Sequence, residues 1–213
     1  MKKFNYWSLL LLLPFVFGFS VALFEDNFYT VEKAVFDFLR NLAPAFDIPF
    51  RALTELGSAV GVILVTVIIF IVSAITKKYF FTFGLPVAIT AIVSRVINIT
   101  IKNTFMRPRP DFKVLEASES SFPSGHSQNN MALYIAILLV ALLIVTLPKW
   151  RTVLKITLIA LPLIIGITRI YFGVHYISDV IAGWGLGAFV AILTNFVYFK
   201  IYYALKEKKN AQA

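Results

Sequence analysis

Cysteine is absent from the 213-residue chain, and histidine occurs only twice. Without cysteine there is no disulfide framework, no thiolate metal site and no cysteine nucleophile. Two histidines are too few for a histidine-rich metal cluster. Charge is also scarce: 15% of the residues are Asp, Glu, Lys or Arg, against about 25% in a soluble globular domain. Acidic residues are the rarer sign, 11 against 20 basic ones. What fills the chain instead is apolar, 59% of the residues, with a mean hydropathy of +0.82. That balance argues against a soluble enzyme.

Apolar stretches of about 20 residues mark membrane spans, and six candidates lie at 7–24, 56–75, 79–101, 125–147, 153–172 and 177–199. They consume most of the sequence. Residues 1–213 therefore read as a single integral-membrane domain, all-α, with six transmembrane helices in one bundle. The first stretch, preceded by Lys2 and Lys3 and containing Gly18 and Ser20, also fits a signal peptide. Apolar residues continuing through 21–24 blur any cleavage site and favour a retained span. Between spans one and two, Phe28, Val31, Val35, Phe38 and Leu42 recur at steps of three and four, with Glu32, Lys33, Asp37, Arg40 and Asn41 on the other faces. This predicts a short amphipathic helix on the outer membrane surface, packing and anchoring there or forming a lip for a lipid headgroup. Gly57 with Gly61, and Gly183 with Gly187, are small-xxx-small pairs suited to tight helix contacts within the chain or to a dimer face. Pro86 and Pro162 are expected to kink their spans.

With the N-terminus inside, the inner ends and loops collect Lys2, Lys3, Lys77, Lys78, Lys149, Arg151, Lys155, Lys200, Lys206, Lys208 and Lys209 against the single acid Glu207. This asymmetry predicts that both termini are cytoplasmic. It also accounts for the net charge of +9 without nucleic acid.

Ionisable groups within or at the ends of spans are costly and default to functional candidates. In this topology they converge on the outer face. Arg95, Asn98 and Lys102 share one stripe of span three, and Arg107-Pro108-Arg109-Pro110 follows it. Span four opens with Pro123-Ser124-Gly125-His126, and span five runs into Thr168-Arg169, with His175 and Asp179 just beyond. Lys102, Arg109 and Arg169 offer cations suited to phosphate oxygens. Ser124 and Gly125 stand at a helix N-terminus, whose free N–H groups and dipole favour an anion. His175 and Asp179, four apart, can share one helical face, so that the carboxylate holds the Nδ1 proton and frees Nε2 to attack. His126 is placed to act as acid and base.

Each piece has a plainer reading. The Arg-Pro-Arg-Pro run can be an irregular basic loop, Pro-Ser-Gly-His a turn-to-helix junction, and His175 with Asp179 a structural pair. Arg95 is expected to pair with an acid or with backbone carbonyls, and Arg107 to bind a headgroup or to snorkel. Their convergence on one face is what favours a site.

The ordered set resembles the type 2 phosphatidic acid phosphatase superfamily, whose motifs are Lys-x6-Arg-Pro, Pro-Ser-Gly-His and Ser-Arg-x5-His-x3-Asp. Lys102, Arg109 and Pro110 match the first, and Pro123 to His126 match the second unchanged. Arg169, His175 and Asp179 match the third, with Thr168 in place of serine. The resemblance covers nearly the whole chain. It implies a phosphatase that needs no metal or other cofactor, with His175 as nucleophile, Asp179 as its support and His126 as acid and base. Lys102, Arg109, Ser124, Gly125 and Arg169 would bind the phosphoryl group. Implied substrates include phosphatidic acid, phosphatidylglycerol phosphate, diacylglycerol diphosphate and undecaprenyl diphosphate. The expected partners are membrane lipid phosphates and water, with no nucleic acid and no required protein. A lipid or anion transporter and a non-enzymatic membrane scaffold are the competing classes; neither calls for two histidines and an aspartate at these spacings.

Overall fold

The computed structural model of the chain describes residues 6–42, 44–117 and 120–212; Lys2 and Lys3, counted in the charge asymmetry, lie outside them. Among the described residues the regular structure is helical throughout. Five helices are long and apolar enough to cross a membrane: α4 (Ala59–Thr76), α5 (Leu85–Phe105, entered through a π-helical turn at Phe80–Gly84), α6 (Gly125–Ile144), α7 (Pro148–Tyr171) and α8 (Ile177–Ala211). The sixth candidate is built differently. A 3-10 segment (Tyr6–Leu12) runs into α1 (Leu13–Leu23). At about 2.0 Å rise per 3-10 residue and about 1.5 Å per α residue, the two together reach roughly 30 Å, the thickness of the hydrocarbon core.

After α1 the chain turns by 112° into α2 (Glu25–Leu42). The side that α2 turns to the protein is not its apolar stripe. Glu32 and Phe36 are buried, whereas Phe28, Val31 and Phe38 face outward. The expected interfacial helix is present, with its greasy face free for lipid and one carboxylate turned inward. The sequence spacing puts Glu32 on one of the faces away from the apolar stripe; a bonding partner inside, described below, turns that face inward. A further helix, α3 (Asp47–Leu56), follows and had no counterpart in the sequence reading. Asp47 anchors it, accepting from Arg40 at 2.5 Å and from the Tyr171 hydroxyl at 2.6 Å.

The bundle is organised around α6. Ser127, Gln128, Asn129 and Asn130 are consecutive and buried in it. In an apolar bundle such groups need partners. Asn98 Nδ2 donates to Gln128 Oε1 at 2.9 Å, Gln128 Nε2 to the Ser94 carbonyl at 3.0 Å, and Ser94 Oγ to Asn129 Oδ1 at 2.9 Å. Asn130 Nδ2 reaches the Gly57 carbonyl at 2.7 Å and so ties α6 to the α3–α4 turn. On its other side α6 packs on α8. A Cβ at Gly183 would lie 2.9 Å from Ser127 Cβ, and one at Gly187 would lie 3.0 Å from Met131 Cβ. That glycine pair serves an intramolecular contact. The Gly57–Gly61 pair does not form a helix face at all, because the chain breaks between them. Pro86 likewise opens α5 rather than kinking it. Pro162 does lie inside α7, where its carbonyl accepts from Trp184 Nε1 at 3.1 Å.

At one end of the bundle Tyr198 of α8 donates to the Phe81 carbonyl at 2.7 Å, and Arg151 donates to the Leu142 and Val145 carbonyls at the end of α6. Lys77, Lys78, Lys149, Lys206, Lys208 and Lys209 belong to this end. The opposite end carries the α5–α6 and α7–α8 connections, α2 and α3.

Candidate active site

The α7–α8 connection is a tight turn. Gly173 has φ +62, and a Cβ there would come within 2.9 Å of the Phe112 carbonyl oxygen, so glycine is required by both conformation and space. The turn delivers His175 immediately before α8. Asp179, one helical turn in, accepts from the Tyr176 backbone N–H at 3.0 Å through Oδ2. The same oxygen lies 3.4 Å from His175 Nδ1. With the proton on Nδ1, His175 Nε2 carries the lone pair, and Arg109 Nη1 stands 3.2 Å from it. Burial pushes the His175 pKa down to about 3, against the pull of Asp179. A neutral imidazole at pH 7 follows, which is the nucleophilic form.

The α5–α6 connection supplies the cations. Ser121 pins it, donating from N to the Arg107 carbonyl at 2.9 Å and from Oγ to the Pro108 carbonyl at 2.8 Å. Arg109 donates to the Val174 carbonyl at 2.7 Å, which joins this loop to the His175 turn. Lys102, on the last turn of α5, donates to the Ser120 carbonyl. Arg169, on the last turn of α7, donates to Thr54 of α3, and its buried Nε has no hydrogen-bond partner among the described residues.

Ser124 begins α6. Its Oγ accepts from Ser127 N at 3.4 Å and from Ser127 Oγ at 2.9 Å, so the hydroxyl is fully buried as a helix cap rather than set in the cavity wall. Gly125 does reach that wall, with Asn98 pressed against its other side: a Cβ would lie 3.0 Å from Asn98 Oδ1.

One cavity of about 200 Å³ collects these groups. Lys102, Arg109, Gly125, His126, Arg169 and His175 all line it, and so does Arg95. Asp179 stands behind His175 and is wholly buried. The expected constellation is thus brought together, with Asp179 and Ser124 placed behind the wall. Asn98, grouped with Arg95 and Lys102 in the sequence, has a different place: its amide bonds Gln128 and the Pro123 carbonyl.

Arg107 corrects the reading of its side chain as a headgroup ligand or a snorkelling cation. It is 3% exposed, donates from Nη1 to Asp179 Oδ1 at 2.7 Å and to Ser178 Oγ at 2.9 Å, and from Nε to Glu25 at 3.1 Å. Its guanidinium lies 4.0 Å from the Tyr176 ring centroid. Glu32 accepts from the Ser178 hydroxyl. Burying a cation and two carboxylates is tolerable only with such pairing, which is why Glu32 faces inward. Thr54, Glu25 and Glu32 were missed as neighbours of the site; nothing in their local sequence marks them.

Fold and cavity together define a polytopic helical membrane protein with two histidines and four cations around one small hollow. Residues 83–203, more than half of the chain, match the PAP2 superfamily. The chain is 37% identical over 113 residues to phosphatidylglycerophosphatase B of Bacillus subtilis (strain 168), covering 52% of this chain and 55% of that protein. It is 30% identical to an undecaprenyl-diphosphatase of Sulfolobus acidocaldarius, with 91% of each chain covered. The crystal structure of a transmembrane PAP2 type phosphatidylglycerolphosphate phosphatase from Bacillus subtilis superposes with a TM-score of 0.78 at 27% identity, over 90% of this chain and 96% of that one. The chain belongs to the PAP2 superfamily, whose relatives named here are membrane phosphatases.

Proposed function

We propose that the protein hydrolyses phosphate monoester or diphosphate headgroups of membrane lipids without a metal ion, through a phosphohistidine intermediate. The observation that carries this reading is the pairing of His175 with Asp179 on one side of a cavity whose wall also holds His126, Lys102, Arg109 and Arg169. His175 Nε2 attacks phosphorus, a P–N bond forms, and the bond from phosphorus to the leaving oxygen breaks. Asp179 holds the Nδ1 proton and steadies the imidazolium that develops. His126 protonates the leaving oxygen, then takes a proton from water as that water attacks phosphorus and the P–N bond breaks. Inorganic phosphate is released and His175 is restored.

Charge accumulates on the phosphoryl oxygens along this path, and fixed donors there stabilise the transition state. Lys102, Arg109, the Arg169 Nε–H and the Gly125 end of α6 are those donors. Ser124, whose Oγ accepts from Ser127, supports this helix end as its cap from behind the wall. The relatives' names, phosphatidylglycerophosphatase and undecaprenyl-diphosphatase, support a lipid substrate. In this reading the charged end of the bundle is cytoplasmic and the cavity opens to the outer face.

Phosphate release from phosphatidylglycerol phosphate, phosphatidic acid, undecaprenyl diphosphate and a soluble phosphate ester, by the purified protein in liposomes, tests the proposal. His175→Ala is expected to abolish turnover, His126→Ala to cut it by about 10²–10⁴-fold, and chelation to leave it intact. Strict dependence on a divalent metal would overturn the mechanism. Failure to release phosphate from every lipid would favour a transporter or a scaffold.

A further inference from the structure

Arg95 is the one cavity cation that the mechanism leaves unused. It lies seven residues before Lys102 on α5, two turns along the same stripe, hence about 10 Å deeper in the membrane. Among the described residues it makes no hydrogen bond and no ion pair; the acid or backbone partner expected from the sequence is not there. A charged side chain within a span needs a reason of this kind.

Its surroundings suggest one. Arg95 lines the headgroup cavity beside His126 and His175, and it also lines a second hollow of about 460 Å³ between α4 and α5. That second hollow is walled by Val62, Ile63, Val67, Phe70, Ile92 and Val96, and it meets the first at Ala59, Val62, Arg95 and Asn129. Apolar groove, lone cation and histidine pair therefore follow one another from lipid to water. A phosphorylated lipid has the same sequence of parts, and bulk lipid would not need a groove that leads to histidines.

We propose that Arg95 binds the lipid-side phosphate of a lipid diphosphate, with the hydrocarbon tail in the α4–α5 groove and the terminal phosphate at His175. This rests on the lipid phosphatase reading and deepens it to a substrate class. A diphosphate suits the arrangement because both phosphates must fit a hollow of about 200 Å³, with no spacer between them. As the terminal phosphorus passes to His175, the bridging oxygen leaves with the lipid monophosphate. Arg95 then faces the group on which negative charge grows, while His126 supplies the proton. Arg95 is thus a determinant of diphosphate over monophosphate.

Arg95→Gln should lower kcat/KM for undecaprenyl diphosphate about tenfold more than for phosphatidic acid or phosphatidylglycerol phosphate, as expected for one lost charge-assisted contact. Equal losses on all three lipids, an equal loss on phosphatidylglycerol phosphate alone, or no loss at all would overturn the assignment. Binding keeps the test independent of turnover. In the His175→Ala background, undecaprenyl diphosphate in nanodiscs should bind about tenfold more weakly when Arg95→Gln is added; undecaprenyl monophosphate, which keeps the lipid-side phosphate, should weaken comparably, whereas inorganic phosphate should change far less. A parent protein that releases no phosphate, yet binds the diphosphate through Arg95, would sink the phosphatase reading and spare this site. Turnover with no Arg95-dependent preference would do the reverse.

Discussion

Asp179 receives three kinds of contact at once: the His175 imidazole, the Tyr176 backbone N–H and the Arg107 guanidinium. The last shapes the site without touching the cavity. With a short ion pair on Oδ1, the carboxylate is locked in the rotamer that offers Oδ2 to His175, and its charge is partly compensated. Removing one partner of a buried pair leaves an uncompensated charge, a loss of about 3–5 kcal/mol. Arg107→Gln is therefore expected to lower thermal stability and kcat while leaving KM nearly unchanged, because substrate contacts are intact. Arg107→Lys should rescue only part of kcat, since an ammonium cannot serve Asp179, Ser178 and Glu25 in one plane. Steady-state kinetics with a melting curve in detergent separates these outcomes.

Among the elements, α6 and α8 form the contact on which the site depends. α6 presents Gly125 and His126 to the cavity, α8 carries Asp179 behind it, and Ser124 N donates to the Asp179 carbonyl at 3.1 Å. Their approach is set by Gly183 and Gly187. A Cβ at Gly187 would meet the Gln128 carbonyl, Met131 Cβ and Ala132 N, none of them the far end of a flexible side chain, so none can yield cheaply. Gly187→Leu is expected to force the helices apart, lowering the melting temperature and reducing activity by at least about tenfold, consistent with the sensitivity of catalysis to a displacement of about 1 Å. A Gly187→Leu protein that matches the parent in both would refute this account of the interface. Helix α2 has a different part: its apolar stripe Phe28, Val31 and Phe38 faces outward while Glu25 and Glu32 reach Arg107, so an amphipathic helix is fastened directly to the residue that pairs with Asp179 behind His175.

At the scale of the molecule, the cations divide into two populations. The lysines at the α6–α7 and α8 end are exposed and fit a membrane surface, whereas at the other end Lys102, Arg109 and Arg169 are held by loops and α3 around the cavity. An outward-facing cavity is the topology that puts the first population inside. Because the chain has no cysteine, Lys113→Cys gives a single label site on the α5–α6 connection. Labelling of intact cells by a membrane-impermeant maleimide is the expected result; labelling only after permeabilisation would reverse the orientation.

Much of this was legible in the linear chain, for identifiable reasons. Membrane spans announce themselves because hydrocarbon demands about 20 apolar residues in a row, and the motif residues Lys102, Arg109, His126, Arg169, His175 and Asp179 stood out because charge and histidine are so scarce around them. The span limits moved by a few residues, as with α7, which begins at Pro148 rather than 153. Helix α3 escaped notice because ten mixed residues after Pro44 carry no span signal. Arg95, Arg107 and Glu32 could not be told apart by local pattern: each is a charge near an apolar run.

From the linear chain come the membrane class, the order and number of the apolar segments, and the candidate side chains that meet around the cavity. Those properties depend on composition and on spacing along the chain. Only the tertiary structure decided that Arg107 supports Asp179, that Glu32 points inward, that Ser124 caps its own helix and that Arg95 stands alone between a groove and the histidines. A charge in a low-dielectric bundle is defined by what lies across from it, and those neighbours are up to 146 residues away, as Glu32 and Ser178 are. Separation along the chain does not report that distance in space.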